Sequence, residues 1–299
     1  MKLMMPKRNH IFYKSDTEID PYLSTDYGES FTQFESGLDN ILSINRNVFS
    51  TDAAARYYFE DGEFHAFPDM APNMEHWITK TDNYYCFMSI YNNHMIVSVC
   101  DDETYEQVDQ IQFNVTDEFG IDTGEGEFGT IDYACSFDGG YTGFKYGIDI
   151  HLVNIHTGDF KNLSIVNLLT SERFPNSNQV YLNRLTNNSL ILVGNGTNNE
   201  DVGRGHAHLL RFDGEELEVE FLDEIYSGSG ISTIMGFDGE SAICIGDSKS
   251  IYAYGNGRIT TITEEYEGLE DDTFIDAVAH DKNNFAIIRE SDKGIYAWY

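Results

Sequence analysis

The chain has 299 residues, of which 41% are hydrophobic and 14% aromatic, enough apolar material for a large core and incompatible with wholesale disorder. Fifty-one Asp and Glu stand against 18 Lys and Arg, and the net charge of −33 excludes sequence-independent nucleic-acid binding and disfavours anionic membranes. No run approaches the about eighteen apolar residues of a membrane helix, and the start, Met1–Arg8, reads as no signal peptide.

Helical periodicity is nearly absent, and short β-rich runs broken by Gly, Asn and Asp follow one another along the chain. Asn9–Asp16 and Tyr22–Ser24 read as the second and third strands of a first unit, with Lys2–Met5 ahead of them. Ile41–Ile44 and Val48–Ser50 flank a turn at Asn45–Asn47, and Tyr57–Phe64 folds over Asp61-Gly62. Phe87–Tyr91 and His94–Val99 flank Asn92-Asn93. Ile131–Ser136 and Tyr141–Tyr146 flank Phe137–Gly140, and His151–Ile155 returns to Phe160 through Gly158. Val180–Leu185 pairs with Ser189–Val193, and Leu209–Phe212 turns at Asp213-Gly214. Ile231–Gly236 pairs with Glu240–Ile245, and Ile251–Tyr254 turns at Asn256-Gly257. Ile275–His280, Phe285–Ile288 and Ile295–Tyr299 complete the series. Asp-Gly and Asn-Gly supply the positive φ of tight hairpins.

The first turn of each unit falls near 46, 93, 139, 188, 239 and 283, and a second hairpin lies between successive first turns. Four strands repeated at this spacing is the arithmetic of an all-β fold, a β-propeller. The expectation is one domain over 1–299 with seven four-stranded blades, six being the alternative. Lys2–Met5 would close the ring by pairing N- and C-terminal strands, which removes exposed edges.

The four cysteines do not form a disulfide framework. Around the Asn92-Asn93 turn Cys86 should face Val99 and Cys100 should face Tyr85, so the two thiols point to opposite faces. Cys135 and Cys244 read as buried small hydrophobes.

Ser24-Thr25-Asp26-Tyr27-Gly28-Glu29-Ser30-Phe31 resembles the Asp-box, Ser-x-Asp-x-Gly-x-Thr-Trp, of the sialidase-like (BNR-repeat) propellers, with Ser for Thr and Phe for Trp. The resemblance implies a structural turn between third and fourth strands, built on Ser24, Asp26, Gly28 and Phe31. Sialidase chemistry is not expected, because a carboxylate clamp needs several placed arginines and the chain has nine in all, three of them (Arg46, Arg211, Arg258) in or beside predicted turns. No Gly-x-Ser-x-Gly, His-Glu-x-x-His or Walker-type loop occurs, and no catalytic residue is assigned. His206-Ala207-His208 reads as a solvated or partner-facing pair, and Trp77 and Trp298 as blade packing. The combination resembles the accessory propellers of tailed-phage virions, in tail, nozzle or head positions.

Two loops carry the candidate binding residues: Asp117, Glu118, Asp122, Glu125 and Glu127 in one, Glu200 and Asp201 in the other. Their charge suits docking against basic surfaces of partner proteins. No cofactor is assigned, although Asp122, Glu125 and Glu127 are the residues that a calcium ion would use. The expected function is a non-catalytic structural or binding component of an assembly, located in a virion, or in the cytoplasm if the chain is cellular. The alternatives are a carbohydrate-active enzyme, with a glycan as ligand, and an intracellular interaction scaffold. A fluorogenic sialoside should therefore show no turnover; turnover abolished by one cleft mutation would establish an enzyme instead.

Overall fold

A computed structural model of the chain describes residues 2–7, 10–14, 21–33, 41–45, 47–51, 55–61, 63–67, 77–123, 133–147, 149–165, 180–186, 189–196, 204–226, 231–237, 241–246, 251–255, 258–261, 274–281, 284–289, 291–292 and 294–298. These residues form seven antiparallel sheets, each a meander of consecutive strands. The first sheet holds β1 (Lys2–Lys7), β2 (His10–Lys14), β3 (Tyr22–Ser24) and β4 (Thr32–Gln33). The second holds β5 (Ile41–Asn45), β6 (Val48–Thr51), β7 (Arg56–Glu60) and β8 (Glu63–Ala66). In the third are β9 (Trp77–Thr81), β10 (Tyr84–Tyr91), β11 (His94–Asp101) and β12 (Gln107–Asn114), followed by a short helix, α1 (Val115–Phe119). The fourth contains β13 (Tyr133–Phe137), β14 (Tyr141–Tyr146), β15 (Asp149–Asn154) and β16 (Phe160–Ser164). Next come β17 (Val180–Thr186), β18 (Ser189–Gly196), β19 (Arg204–Phe212) and β20 (Leu217–Tyr226) in the fifth sheet. The sixth comprises β21 (Ile231–Phe237), β22 (Ser241–Gly246), β23 (Ile251–Gly255) and β24 (Arg258–Thr261). Three strands make the seventh: β25 (Phe274–Asp281), β26 (Asn284–Arg289) and β27 (Ile295–Trp298).

The sheets group into two compact units, Met1–Ser36 with Ile165–Tyr299, and Gly37–Ser164. The second unit shows why the strands read as short apolar runs. Strand β10 is buried over six consecutive residues, Tyr85 to Ile90, because both faces of its sheet are covered. One face joins Val48, Phe67, Ile78, Tyr85, Phe87 and Cys100 in a cluster with the second sheet. The other joins Cys86, Met88, Val97 and Phe113 to Phe144 and Val153 of the fourth. Cys86 stands opposite Val99 and Cys100 opposite Tyr85, so the two buried thiols lie on opposite faces as expected. Burial pushes both up to about 12, far from a thiolate at neutral pH. Cys135 is also buried and free.

Polar side chains bolt the third and fourth sheets together where their inner strands meet. The hydroxyls of Thr79 and Thr142 are 2.5 Å apart, Thr81 Oγ1 donates to the Phe137 carbonyl, and Ser136 Oγ donates to that of Lys80. Asp82 accepts from the Gly139 N–H at 2.9 Å and pairs with His156 at 3.1 Å. Trp77 packs against the apolar cluster between these sheets, as expected for a packing residue.

Two expectations are corrected. Asn92-Asn93 is the turn between the second and third strands of its sheet, and the turn between first and second is Asp82-Asn83. Both Asn92 and Asn93 have positive φ, 55° and 63°, so the sequence signal for this hairpin outweighs that of the shorter β9–β10 hairpin. Lys2–Met5 pair with β2 of their own sheet, and among the described residues no strand pairing joins the first sheet to the seventh. Packing does that work: β1 lies beside β25, and Ile11 and Phe31 pack on Ala286, Ile288, Ile295 and Ala297.

Gly143 faces the backbone of β15 so closely that an added Cβ would lie 1.8 Å from the His151 carbonyl oxygen. Gly143→Ala should therefore destabilise by about 1–3 kcal/mol through overpacking. Urea denaturation should show a lower midpoint with an unchanged slope; an unaltered midpoint would mean that the sheet relaxes around the methyl group.

Candidate functional site

Residues 115–123, which leave the third sheet, are held by a network of hydrogen bonds and apolar contacts. Asn114 caps α1, its side-chain oxygen accepting from the N–H groups of Thr116 (2.8 Å) and Asp117 (3.2 Å). Gly120 ends the helix at φ 71°, the left-handed conformation that favours glycine. The Thr116 hydroxyl then donates to the Ile121 carbonyl at 2.7 Å. Val115 and Ile121 are buried in the cluster between the third and fourth sheets, with Phe119 packed against it.

Asn93, at the tip of the β10–β11 hairpin, holds the next residues. Its backbone carbonyl accepts from the Val115 N–H at 2.8 Å, and its side-chain oxygen accepts from both the N–H and the hydroxyl of Thr123 at 2.6 Å. The Thr123 hydroxyl in turn accepts from the Asn93 N–H, and Asn93 Nδ2 donates to Asp122 Oδ1 at 3.2 Å. Asp117 and Glu118 are exposed on the first turn of α1, the end whose dipole favours negative charge. Asp117, Glu118 and Asp122 are thus brought to one end of the third sheet, the end that carries the β10–β11 turn. Glu125, Glu127, Glu200 and Asp201 lie outside the described residues. Among the described residues no three His, Cys, Asp or Glu side chains are placed to hold a metal.

Neither α1 nor the role of Asn93 was part of the sequence reading. The helix had readable signals: a capping asparagine, acids in the first turn and a glycine just past the end. Asn93 had only its turn propensity, and its side-chain bonds depend on a loop about thirty residues later. His208, read as solvated or partner-facing, is buried instead, at 3% exposure.

The Ser24–Phe31 segment links β3 to β4 through a compact hydrogen-bonded turn. Buried Ser24 donates from Oγ to Asp26 Oδ1 at 2.7 Å and accepts from the Gly28 N–H at 2.8 Å. Asp26 also accepts from the Ser30 N–H (3.0 Å) and the Ser30 hydroxyl (2.5 Å). Gly28 has φ 87°, and its α-carbon is wedged so that a Cβ would sit 3.1 Å from Ile11 and 3.3 Å from Ala297. Phe31 enters the cluster between β2 and the seventh sheet. Ser24, Asp26, Gly28 and Phe31 thus form one turn, held by hydrogen bonds within the segment and by packing of Gly28 and Phe31.

Comparison with solved structures decides the fold. A structure titled YCF48 from Cyanidioschyzon merolae matches over 100% of this chain and 93% of that one, with TM-score 0.59 at 10% identity. YCF48 bound to D1 peptide matches over 99% and 91%, with TM-score 0.57 at 11% identity. The N-terminal domain of Nup159 matches over 100% and 89%, with TM-score 0.53 at 9% identity. The chain folds as a β-propeller. No family model matches it, and neither does any curated protein.

Hydrogen bonds from Ser30 first, and then from Ser24, hold the Asp26 carboxyl down at about 2. A carboxyl depressed in the folded state adds stability above its ordinary value near 4, and that stability is lost as pH falls from there toward 2. Asp26→Asn should therefore lower the melting temperature at pH 7 by a few degrees and narrow the gap to wild type at pH 2. An equal gap at both pH values would show that the charge of Asp26 is unimportant to the turn.

Proposed function

We propose that this chain is a non-catalytic interaction module that docks a basic surface of another protein within a larger assembly. The observation that carries this reading is the pinned acidic end of the third sheet, where Asn93 and Asn114 fix the segment bearing Asp117, Glu118 and Asp122. Carboxylates already held in place lose little freedom on docking, and a net charge of −33 steers a basic partner toward them. The fold adds support, since one similar propeller structure is of a protein bound to a peptide. The finer reading is a virion component of a tailed phage. Two features support it: the match of Ser24–Phe31 to the Asp-box, and an acidity that keeps the protein off packaged DNA.

A fluorescent Lys/Arg-rich peptide tests the docking surface. An Asp117→Asn, Glu118→Gln, Asp122→Asn triple variant should weaken binding about tenfold at physiological salt, a scale reached when charge pairs at an interface are removed. A control neutralising Glu103, Glu106 and Asp109, at the opposite end of the third sheet, should change it little. Equal losses in both variants would reduce the effect to net charge and remove the assigned surface.

A further inference from the structure

His151 lies in the middle of β15, 2% exposed, with its ring among aromatic neighbours. The centroid of Phe119, the last residue of α1, is 4.8 Å from it, and that of Phe144 is 5.4 Å. Its Nδ1 has no hydrogen-bond partner among the described residues, although it is sealed from solvent. Phe119 also meets Phe113 and Phe160 edge-on, so one ring covers the histidine and closes the aromatic cluster above it. A buried polar nitrogen with no acceptor is tolerable while the ring is neutral and unfavourable once it carries charge.

We propose that His151 and Phe119 form a proton-operated latch: protonation of the imidazole releases α1 from the sheet and frees the segment that carries Asp117, Glu118 and Asp122. Imidazolium has two N–H donors and needs acceptors or water for both. The rings of Phe119 and Phe144, tilted at 48° and 38°, offer weak cation–π attraction and no acceptor. The least disruptive relief is to lift Phe119, because α1 has only five residues and cannot hold itself as an isolated helix.

The surrounding charges decide whether the latch could stay shut. On β15 itself Asp149 shares the face of His151 and favours the protonated ring. Opposite on β14 stands Phe144, while Lys145 is turned to the other face, over Tyr133. β16 presents Asn162 and no ionisable group at that level. On α1 Asp117 and Glu118 are exposed, and on β12 the face of Phe113 carries exposed Asp109. Desolvation outweighs Asp149 and holds the imidazole below its ordinary value. A histidine lowered in the closed state opposes closure as pH falls through its ordinary value near 6.5, so the open form gains as pH drops below that value.

The inference rests on the free protein and stands whether or not the acidic end docks a partner. Hydrogen exchange of amides 115–121, corrected for intrinsic rates, should show a several-fold loss of protection from pH 7.5 to 5. His151→Phe should abolish that change while keeping protection at pH 7.5. If that variant fails to fold, Phe119→Ala supplies the reference: at pH 7.5 it should already show the fast exchange that wild-type protein shows at pH 5, with little further change on acidification. Asp149→Asn should move the opening to lower pH. Unchanged protection at pH 5, or the same loss in His151→Phe, overturns the latch, as does an imidazole seen by NMR to titrate at or above its ordinary value.

Discussion

The third sheet of this chain is apolar on both faces, and a sheet cannot cover itself. In the second unit that constraint governs the arrangement of the others. The third sheet gives Phe87 and Cys100 to the second and Cys86 and Met88 to the fourth, with residues adjacent along β10 serving opposite neighbours. At about 25 cal/mol per Å2 of apolar surface, burial on this scale is the main favourable contribution. The hydroxyl bolts at Thr79, Thr81 and Ser136 contribute mainly register: they satisfy buried polar groups across the gap, where an unmade bond would cost more than a made one gains.

The same constraint explains the Ser24–Phe31 turn. A turn between third and fourth strands would ordinarily lie in solvent, yet here it drives Phe31 and the bare α-carbon of Gly28 against Ile11 and Ala297. Asp26 and Ser24 do not reach the neighbouring sheet. They hold the backbone in the shape that lets Gly28 and Phe31 do so, and the first and seventh sheets consequently meet through side chains rather than through a shared strand.

Much of the fold was legible because it is local. Every hairpin has its turn residues in sequence between its strands, and the alternation around Asn92-Asn93 placed Cys86 and Cys100 correctly to the residue. Errors arose where two local signals competed or where the deciding contact was distant. The strong Asn-Asn hairpin displaced Asp82-Asn83 as the first turn of its sheet, and Lys2–Met5 found a nearer partner in β2 than in the chain's far end. Nearest-in-sequence pairing closes the smaller loop, which has the lower entropic cost. At the candidate site the acids were read, while the cap and glycine signals of α1, though present in the sequence, were not. What orients the acids, Asn93 and the aromatic cluster under α1, comes from three separate places, the β10–β11 turn, β12 and β15.

That division has a consequence for the acidic end. A five-residue helix is far below the length at which helices persist in water, so the position of Asp117 and Glu118 is borrowed from its anchors. One set is polar and shallow: Asn114 at the start of the helix, Asn93 beyond its end. The other is apolar and deep, Val115, Phe119 and Ile121 on the cluster between the third and fourth sheets. The polar anchors fix direction and can be exchanged for water at little cost, whereas the apolar ones set whether the helix is docked at all. Among the described residues, the histidine ring that meets Phe119 is His151, on the third strand of the neighbouring sheet. Charge on the surface is therefore governed from a residue that never reaches the surface.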